Sequence, residues 1–283
     1  MRSVWSTLMV LVALTATAYA VPAAWFERTV VDEEGFVALV SPLFDDPAVR
    51  DVVVDDVSDA VMERSGLDGA AAVVAERVVR TATEQVLVSP ELSAAWVEVA
   101  RRSHRIDVTD LPPESLEGRF ALDLTPLVEV VVDQANTTLG VDLPVGRDYV
   151  VLVGTPEHRQ AFDRLRDVTR WWGAGVAVAV AAAIGAVALG RNRGAVTALL
   201  GVGLVLVAAG TAVVVRVAVP AALSGDQTES RVLGAVTERI GEQAVESYDV
   251  WATATAVGGV VLIVVGLVWL SRSRASRRAV PAP

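Results

Sequence analysis

Cysteine and lysine are both missing from the 283-residue chain, and histidine occurs only twice. Without Cys there is no disulfide scaffold, no thiolate zinc site and no Cys nucleophile, and nothing to report a redox compartment. With no Lys, all 24 basic side chains are arginines, against 34 acids, for a formal net charge of −10. Aromatics make up only 5% of residues, yet 53% are hydrophobic and mean hydropathy is +0.49. That apolarity is concentrated in long runs which no soluble domain of this size could hide, so a purely soluble enzyme is excluded.

Four segments have the length and composition to cross about 30 Å of hydrocarbon, for which a helix needs about 20 residues. They are 4–26, 172–190, 195–219 and 250–270. Arg216, near the end of the third, is read as snorkelling to the headgroup level rather than as a buried functional charge. Arg2, Arg191, Arg193, Arg272, Arg274, Arg277 and Arg278 flank the spans on one side with no acid among them, which assigns that side, with both termini, to the cytoplasm. The other side is acidic: residues 27–170 hold 28 acids and 14 Arg, and residues 220–249 hold six acids and two Arg. Six of the seven tryptophans, Trp5, Trp25, Trp171, Trp172, Trp251 and Trp269, fall at or beside span ends, where amphipathic rings settle.

The expected organisation is therefore a mainly α membrane protein. Residues 1–27 form an N-terminal anchor, or alternatively a signal peptide cleaved after Ala18-Tyr19-Ala20. Residues 28–170 form an extracytoplasmic α+β domain, 171–219 a transmembrane hairpin, 220–249 a second outer loop, and 250–283 the last span with a short basic tail. In the outer domain, Asp46-Pro47 reads as an N-cap with proline at the first helical position, followed by an apolar face of Val49, Val52, Val53, Val57, Ala60 and Val61. Helices are also expected over 69–86 and from Ser89-Pro90 through Trp96 to Arg102. Alternation over 118–124 and apolarity over 147–153 read as two strands, with a helix opened by Thr125-Pro126 between them. The roughly 23 intervening residues suffice for a parallel crossover. Thr155-Pro156 caps a further helix expected to run without interruption into the second span. In the second loop Val232, Leu233, Val236 and Ile240 share one helical face, which docks on the domain or lies on the membrane.

Chemical motifs are sparse. His104 and His158 have no metal-ligand spacing. Ser41, Ser65, Ser89 and Ser93 lie in no G-x-S-x-G context, and Asp51, Asp55 and Asp59 lack the loop pattern of a calcium site. No phosphate-binding glycine loop and no basic patch on the outer side favour nucleotide or nucleic acid. Asn136-Thr137-Thr138 matches a glycosylation sequon by a pattern frequent in any sequence. Ala181-x-x-x-Gly185 and Ala254-x-x-x-Gly258 offer small faces for helix packing, and the Arg272 to Arg278 cluster suits anionic headgroups or a stop-transfer role. No catalytic, cofactor-binding or metal-ligating residue is assigned.

The segment Trp25-Phe26-Glu27-Arg28-Thr29, then Val37-Ala38-Leu39-Val40-Ser41-Pro42-Leu43 and Asp46-Pro47-Ala48-Val49, resembles a recurring pattern in uncharacterised actinobacterial integral membrane proteins. Phe120 to Leu124 and Tyr248-Asp249 look like later landmarks of the same pattern. The resemblance implies a four-span envelope protein and carries over no catalytic residues. The expected function is a non-enzymatic plasma-membrane protein, without cofactor, whose outer domain binds a protein or envelope component. A subunit of a transporter or channel is the alternative, and homo-oligomerisation is compatible with either.

Overall fold

A computed structural model of the chain describes residues 2–47, 49, 51, 90–110, 113–139, 149–223 and 231–278. Expectations for Val52 to Val61, for Asp55 and Asp59, for the helix over 69–86, and for Ser65 and Ser89 lie outside the described residues. The described chain is almost entirely helical. Its elements are α1 (Arg2–Phe26), a π-turn (Glu27–Val31), α2 (Glu33–Val40), a 3-10 turn (Ser41–Asp45), α3 (Pro90–Arg105), a second π-turn (Ile106–Asp110), a 3-10 turn (Pro113–Leu116), β1 (Phe120–Asp123), α4 (Thr125–Leu139), β2 (Val150–Val153), α5 (Pro156–Thr169), α6 (Trp172–Leu189), α7 (Arg193–Leu223) and α8 (Arg231–Arg278). Two compact units result. One comprises Met1–Glu27, Leu165–Val219 and Ala244–Pro283; the other comprises Arg28–Arg164 and Pro220–Gln243.

Among the described residues four helical stretches are long and apolar enough to cross a membrane, Ser3–Val31, Trp172–Leu189, Arg193–Ala221 and Arg239–Ser273, and the first unit holds most of each. Small residues set how closely they pack. A Cβ added to Gly175 would lie 2.8 Å from the Tyr19 ring and 3.2 Å from Ala20 Cβ, while Gly185 meets Met9, so α1 and α6 run antiparallel. Ser6 Oγ donates to the Ala186 carbonyl at 2.9 Å across the same contact. Val10, Ala13, Ala182, Ala186 and Leu200 form the buried cluster.

Helices α7 and α8 meet along a seven-residue repeat. Gly194, Gly201, Ala208 and Val215 are buried on α7, and Ala252, Gly259 and Gly266 on α8. A Cβ on Gly266 would lie 2.6 Å from Gly194 O, and one on Gly259 would lie 2.7 Å from Gly201 O. The register therefore places Gly194 against Gly266 and Gly201 against Gly259, and continues to Ala208 against Ala252. A period of seven is the geometry of a left-handed supercoil, and side chains reduced to hydrogen let the two backbones touch. Of the small faces expected at Ala181/Gly185 and Ala254/Gly258, Gly185 is half-buried against Met9 while Ala181, Ala254 and Gly258 are exposed, and Ala182, Ala186, Ala252 and Gly259 are buried instead. Where small residues stand side by side in sequence, their pattern alone cannot fix which edge of the helix faces its neighbour.

The helix expected to continue from α5 into α6 is broken at Arg170–Trp171, although neither residue is Gly or Pro. Trp171 adopts φ −89°, ψ 10°, which ends one helix and starts the next with Trp171 as N-cap.

In the second unit, the core is formed by Leu39 and Val40 on α2, by Leu43 and Phe44 in the 3-10 turn after it, by Leu92, Ala95, Trp96, Val99 and Ala100 on α3, by Leu127, Val128, Val131 and Val132 on α4, and by Val49 and Tyr149. The spacing on α3 is that of one helical face. Trp96 stacks on Phe44 with centroids 5.5 Å apart, and its indole N–H donates to the Val40 carbonyl at 3.0 Å. Each such side chain stabilises the unit by roughly 1.5–3 kcal/mol through burial. Ile240 of α8 packs against this core, and Arg239 pairs with Asp46 at 2.9 Å. Of the expected face Val232, Leu233, Val236 and Ile240, it is Ile240 that meets this core; the side chains of the other three lie outside the described residues.

The two strands are antiparallel, with Phe120 opposite Val153 and Asp123 opposite Val150, which overturns the expected parallel crossover. The chain leaves β1 and returns to the same end: Leu124 N donates to Tyr149 O at 2.8 Å, and Tyr149 N donates to Thr125 Oγ1 at 3.0 Å. Chain reach permits this, because the nine residues after α4 can extend about 30 Å whereas a 15-residue helix rises only about 22 Å.

Candidate functional site

In the second unit the most deeply placed ion pair joins the π-turn after α3 to α5. Arg159, whose side chain is only 5% exposed, donates from Nη1 to Asp107 Oδ1 at 3.2 Å and from Nη2 to the Asp107 carbonyl at 2.6 Å. Its guanidinium lies 5.2 Å from the Phe120 ring centroid and 3.5 Å from Asp163. Asp107 Oδ1 also accepts the Ala121 amide at 2.9 Å. Burial raises the Asp107 carboxyl to about 6, against the lowering effects of the Ala121 amide and Arg159. Such a carboxyl can take up a proton in mildly acidic solution, but both of its hydrogen bonds hold structure: one fixes α5, the other the outer side of β1.

Sequence reasoning missed this pair. Asp107 and Arg159 are 52 positions apart, and neither stands in a motif. The only local hint was the Thr155-Pro156 cap, which fixes the phase of α5 and hence the direction Arg159 faces.

His104 is buried at the end of α3, with Nε2 3.3 Å from Val30 O, the ring 5.1 Å from Phe36, and Nδ1 without a hydrogen-bond partner among the described residues. Desolvation lowers its pKa by disfavouring the charged imidazolium, against the raising effect of the Val30 and Val31 carbonyls. His158 lies in the first turn of α5, where its amide donates to Thr155 Oγ1. Ser41 Oγ bonds back to the Val37 carbonyl, and Ser93 is exposed on α3. Neighbouring Ser103 Oγ accepts the Asp123 amide at 2.9 Å. Among the described residues no group of three or more His, Cys, Asp or Glu side chains could hold a metal ion.

The first unit carries a second polar centre. Arg216 Nη2 donates to Asp249 Oδ2 at 2.7 Å, with side chains 55% and 37% exposed. The expected snorkelling arginine is therefore paired with an acid from α8 rather than solvated alone. Next to Asp249 on α8, fully buried Tyr248 meets Trp25 of α1 edge-on at 5.4 Å, and Trp25 Nε1 donates to Ser247 Oγ at 3.2 Å.

No protein-family model, curated protein or solved structure matches this chain. The functional reading rests on the residues themselves.

Proposed function

We propose that the chain is a multi-pass plasma-membrane protein with both termini in the cytoplasm and a composite outer domain that binds a protein or envelope component without catalysing a reaction. The observation that carries this reading is the shared core of the second unit. Ile240 and Arg239, at the start of the fourth apolar helix and ahead of its expected span 250–270, join the core and Asp46 of the segment between the first and second spans. Alternating crossings put those two segments on one face of a membrane, as a common core requires.

Helix geometry supports the membrane boundaries. Trp5 and Trp25 are 20 residues apart and Trp251 and Trp269 are 18 apart, hence separated by about 30 Å and 27 Å along their helices, close to the hydrocarbon thickness. Arg216 stands 23 residues beyond Arg193, and Asp249 stands 23 before Arg272, so the ion pair lies about 34 Å from the basic ends, at headgroup level. A charge pair is affordable there and costly at the centre. The buried charges of the domain are engaged in holding its fold, which favours a binding module over an enzyme. Backbone contact between α7 and α8 disfavours a solute path through that pair, the requirement of the transporter alternative.

Phosphatase reporters test the topology. Fusion after Pro283 is expected to be inactive and insertion near Asp110 active; the reverse would invert the map. Crosslinking in native membranes then tests the binding role, which recovery of no partner together with solute flux in liposomes would overturn in favour of transport.

A further inference from the structure

The two-stranded sheet has one closed edge and one open edge. Because Leu124 N bonds to Tyr149 O, the residues of the inward pairs are Leu122 with Val151 and Phe120 with Val153, while Ala121 and Asp123 on β1 and Val150 and Leu152 on β2 face outward. On β1 the outward amides are taken: Ala121 N by Asp107 Oδ1 and Asp123 N by Ser103 Oγ, each at 2.9 Å. On β2 the outward groups of Val150 and Leu152 have no hydrogen-bond partner among the described residues, and Val150 and Val151 are 43% and 46% exposed. Edge strands are ordinarily guarded by shortness, a charge, a proline, a bulge or a covering element; β2 is short, but Val150-Val151-Leu152-Val153 carries neither a charge nor a proline, and its register with β1 runs without a bulge. The strand is also held at both ends, by the Tyr149 bonds on one side and on the other by Gly154, whose φ of +74° turns the chain toward α5.

We propose that this edge of β2 is a docking strand onto which an extended, net-basic polypeptide segment of a partner protein adds as a third strand. The inference rests on the reading of this domain as a binding module and names its partner class. Four outward backbone groups at strand spacing demand an extended backbone, which contributes the matching donors and acceptors. Charge decides which backbone. Residues 27–170 hold twice as many acids as arginines, so this net-acidic segment repels a second copy of itself and attracts a basic segment. A strand already fixed at its ends loses little freedom on pairing, which favours association.

The test uses the full-length protein in lipid nanodiscs with a peptide of about ten residues alternating Val and Arg. Two companions are the same peptide methylated on every second backbone nitrogen and the same sequence with Glu in place of Arg. Fluorescence anisotropy and amide hydrogen exchange are the readouts. The Val–Arg peptide is expected to bind and to slow exchange at Val150 and Leu152. N-methylation on one edge, or the variant Leu152→Pro, is expected to weaken binding at least about tenfold, or about 1.4 kcal/mol, and the Glu peptide to bind more weakly than the Arg peptide. Should Leu152→Pro fail to fold, the methylated peptide on the unaltered protein still decides. Equal binding of methylated and unmethylated peptides would overturn the proposal, as would protection of the Val150 and Leu152 amides in the free protein, whether by the chain itself or by a second copy. The reporter fusions above read the sidedness of the domain independently, so this proposal and that topology fail separately.

Discussion

Replacing Gly259 by leucine should separate α7 from α8, whereas the same change at adjacent Gly258 should do nothing. A Cβ on Gly259 falls 2.7 Å from Gly201 O, 2.9 Å from Val205 Cγ2 and 3.1 Å from Leu204 Cβ, while one on Gly258 meets no atom within 4 Å. Relieving a 2.7 Å contact to an ordinary separation moves the backbones apart by about 0.7 Å. On the dispersion potential, a gap of that size forfeits a quarter to a half of the well at each contact it opens, and overpacking of this kind costs about 1–3 kcal/mol. The rest of the leucine side chain adds to the displacement. The chain's lack of cysteine supplies a background-free assay. Cysteines introduced at Ala208 and Ala252, which the register places opposite one another, should form a disulfide readily in membranes. Gly259→Leu or Gly201→Leu should slow that reaction at least about tenfold, and Gly258→Leu or Gly210→Leu, both in open space, should leave it unchanged. Equal effects at Gly258 and Gly259, or failure of the parent pair to crosslink, would refute the seam.

Three further outcomes follow from the second unit. Gly35→Ala, ordinarily worth up to about 1 kcal/mol in favour of a helix, should instead destabilise, because a Cβ there would collide with the Arg28 carbonyl of the π-turn; thermal melting of the purified protein gives the sign. Asp107 has a folded-state pKa raised to about 6 from 3.8, so the native state binds the extra proton. Its stabilising contribution is present below about pH 4 and lost as pH rises to about 6, by up to about 3 kcal/mol. Hydrogen exchange at the Ala121 amide should therefore quicken over that window beyond its intrinsic rate, and Asp107→Asn should flatten the profile. Trp96→Phe keeps the stack on Phe44 but leaves the Val40 carbonyl without its donor, which should cost about 1–3 kcal/mol in chemical denaturation.

The elements that were legible in the sequence are those specified by short-range pattern. Four apolar runs of helical length appear as α1, α6, α7 and α8, and α3 begins at Pro90, as expected, and ends at Arg105, three residues past the expected Arg102. Both strands were placed, though each is shorter than the alternation suggested. What was not legible depends on contacts between distant residues. Strand direction depends on how nine residues after α4 travel, not on the strands' own composition. Helix azimuth within the membrane cannot be read where alanines and glycines adjoin, since each frame offers an equally small face. The break at Arg170–Trp171 lies between a helix rich in charge and one almost devoid of it, and the absence of Gly and Pro concealed a boundary that the change of solvent preference marked. The Asp107–Arg159 pair had no local signature, because a buried ion pair needs two chain segments and neither announces its partner.

The composite second unit also constrains the order in which the protein is completed. In the proposed topology, residues 28–164 emerge first, and their core contains a position that Ile240 fills and a carboxylate at Asp46 that Arg239 neutralises. Neither is available until the third span has crossed and the segment after it has emerged. The first inter-span segment therefore waits with part of its apolar surface uncovered, and joining the two segments closes a loop that contains two membrane crossings. That loop is not a free chain: α6 and α7 are helices joined by residues 190–192, and Leu200 of α7 packs with Ala182 and Ala186 of α6. The entropy of bringing residue 240 back to residue 46 is then set by the hairpin and the short segments around it, not by the nearly two hundred residues between them. In this way the close seams within the membrane make a long-range contact in the domain inexpensive to form.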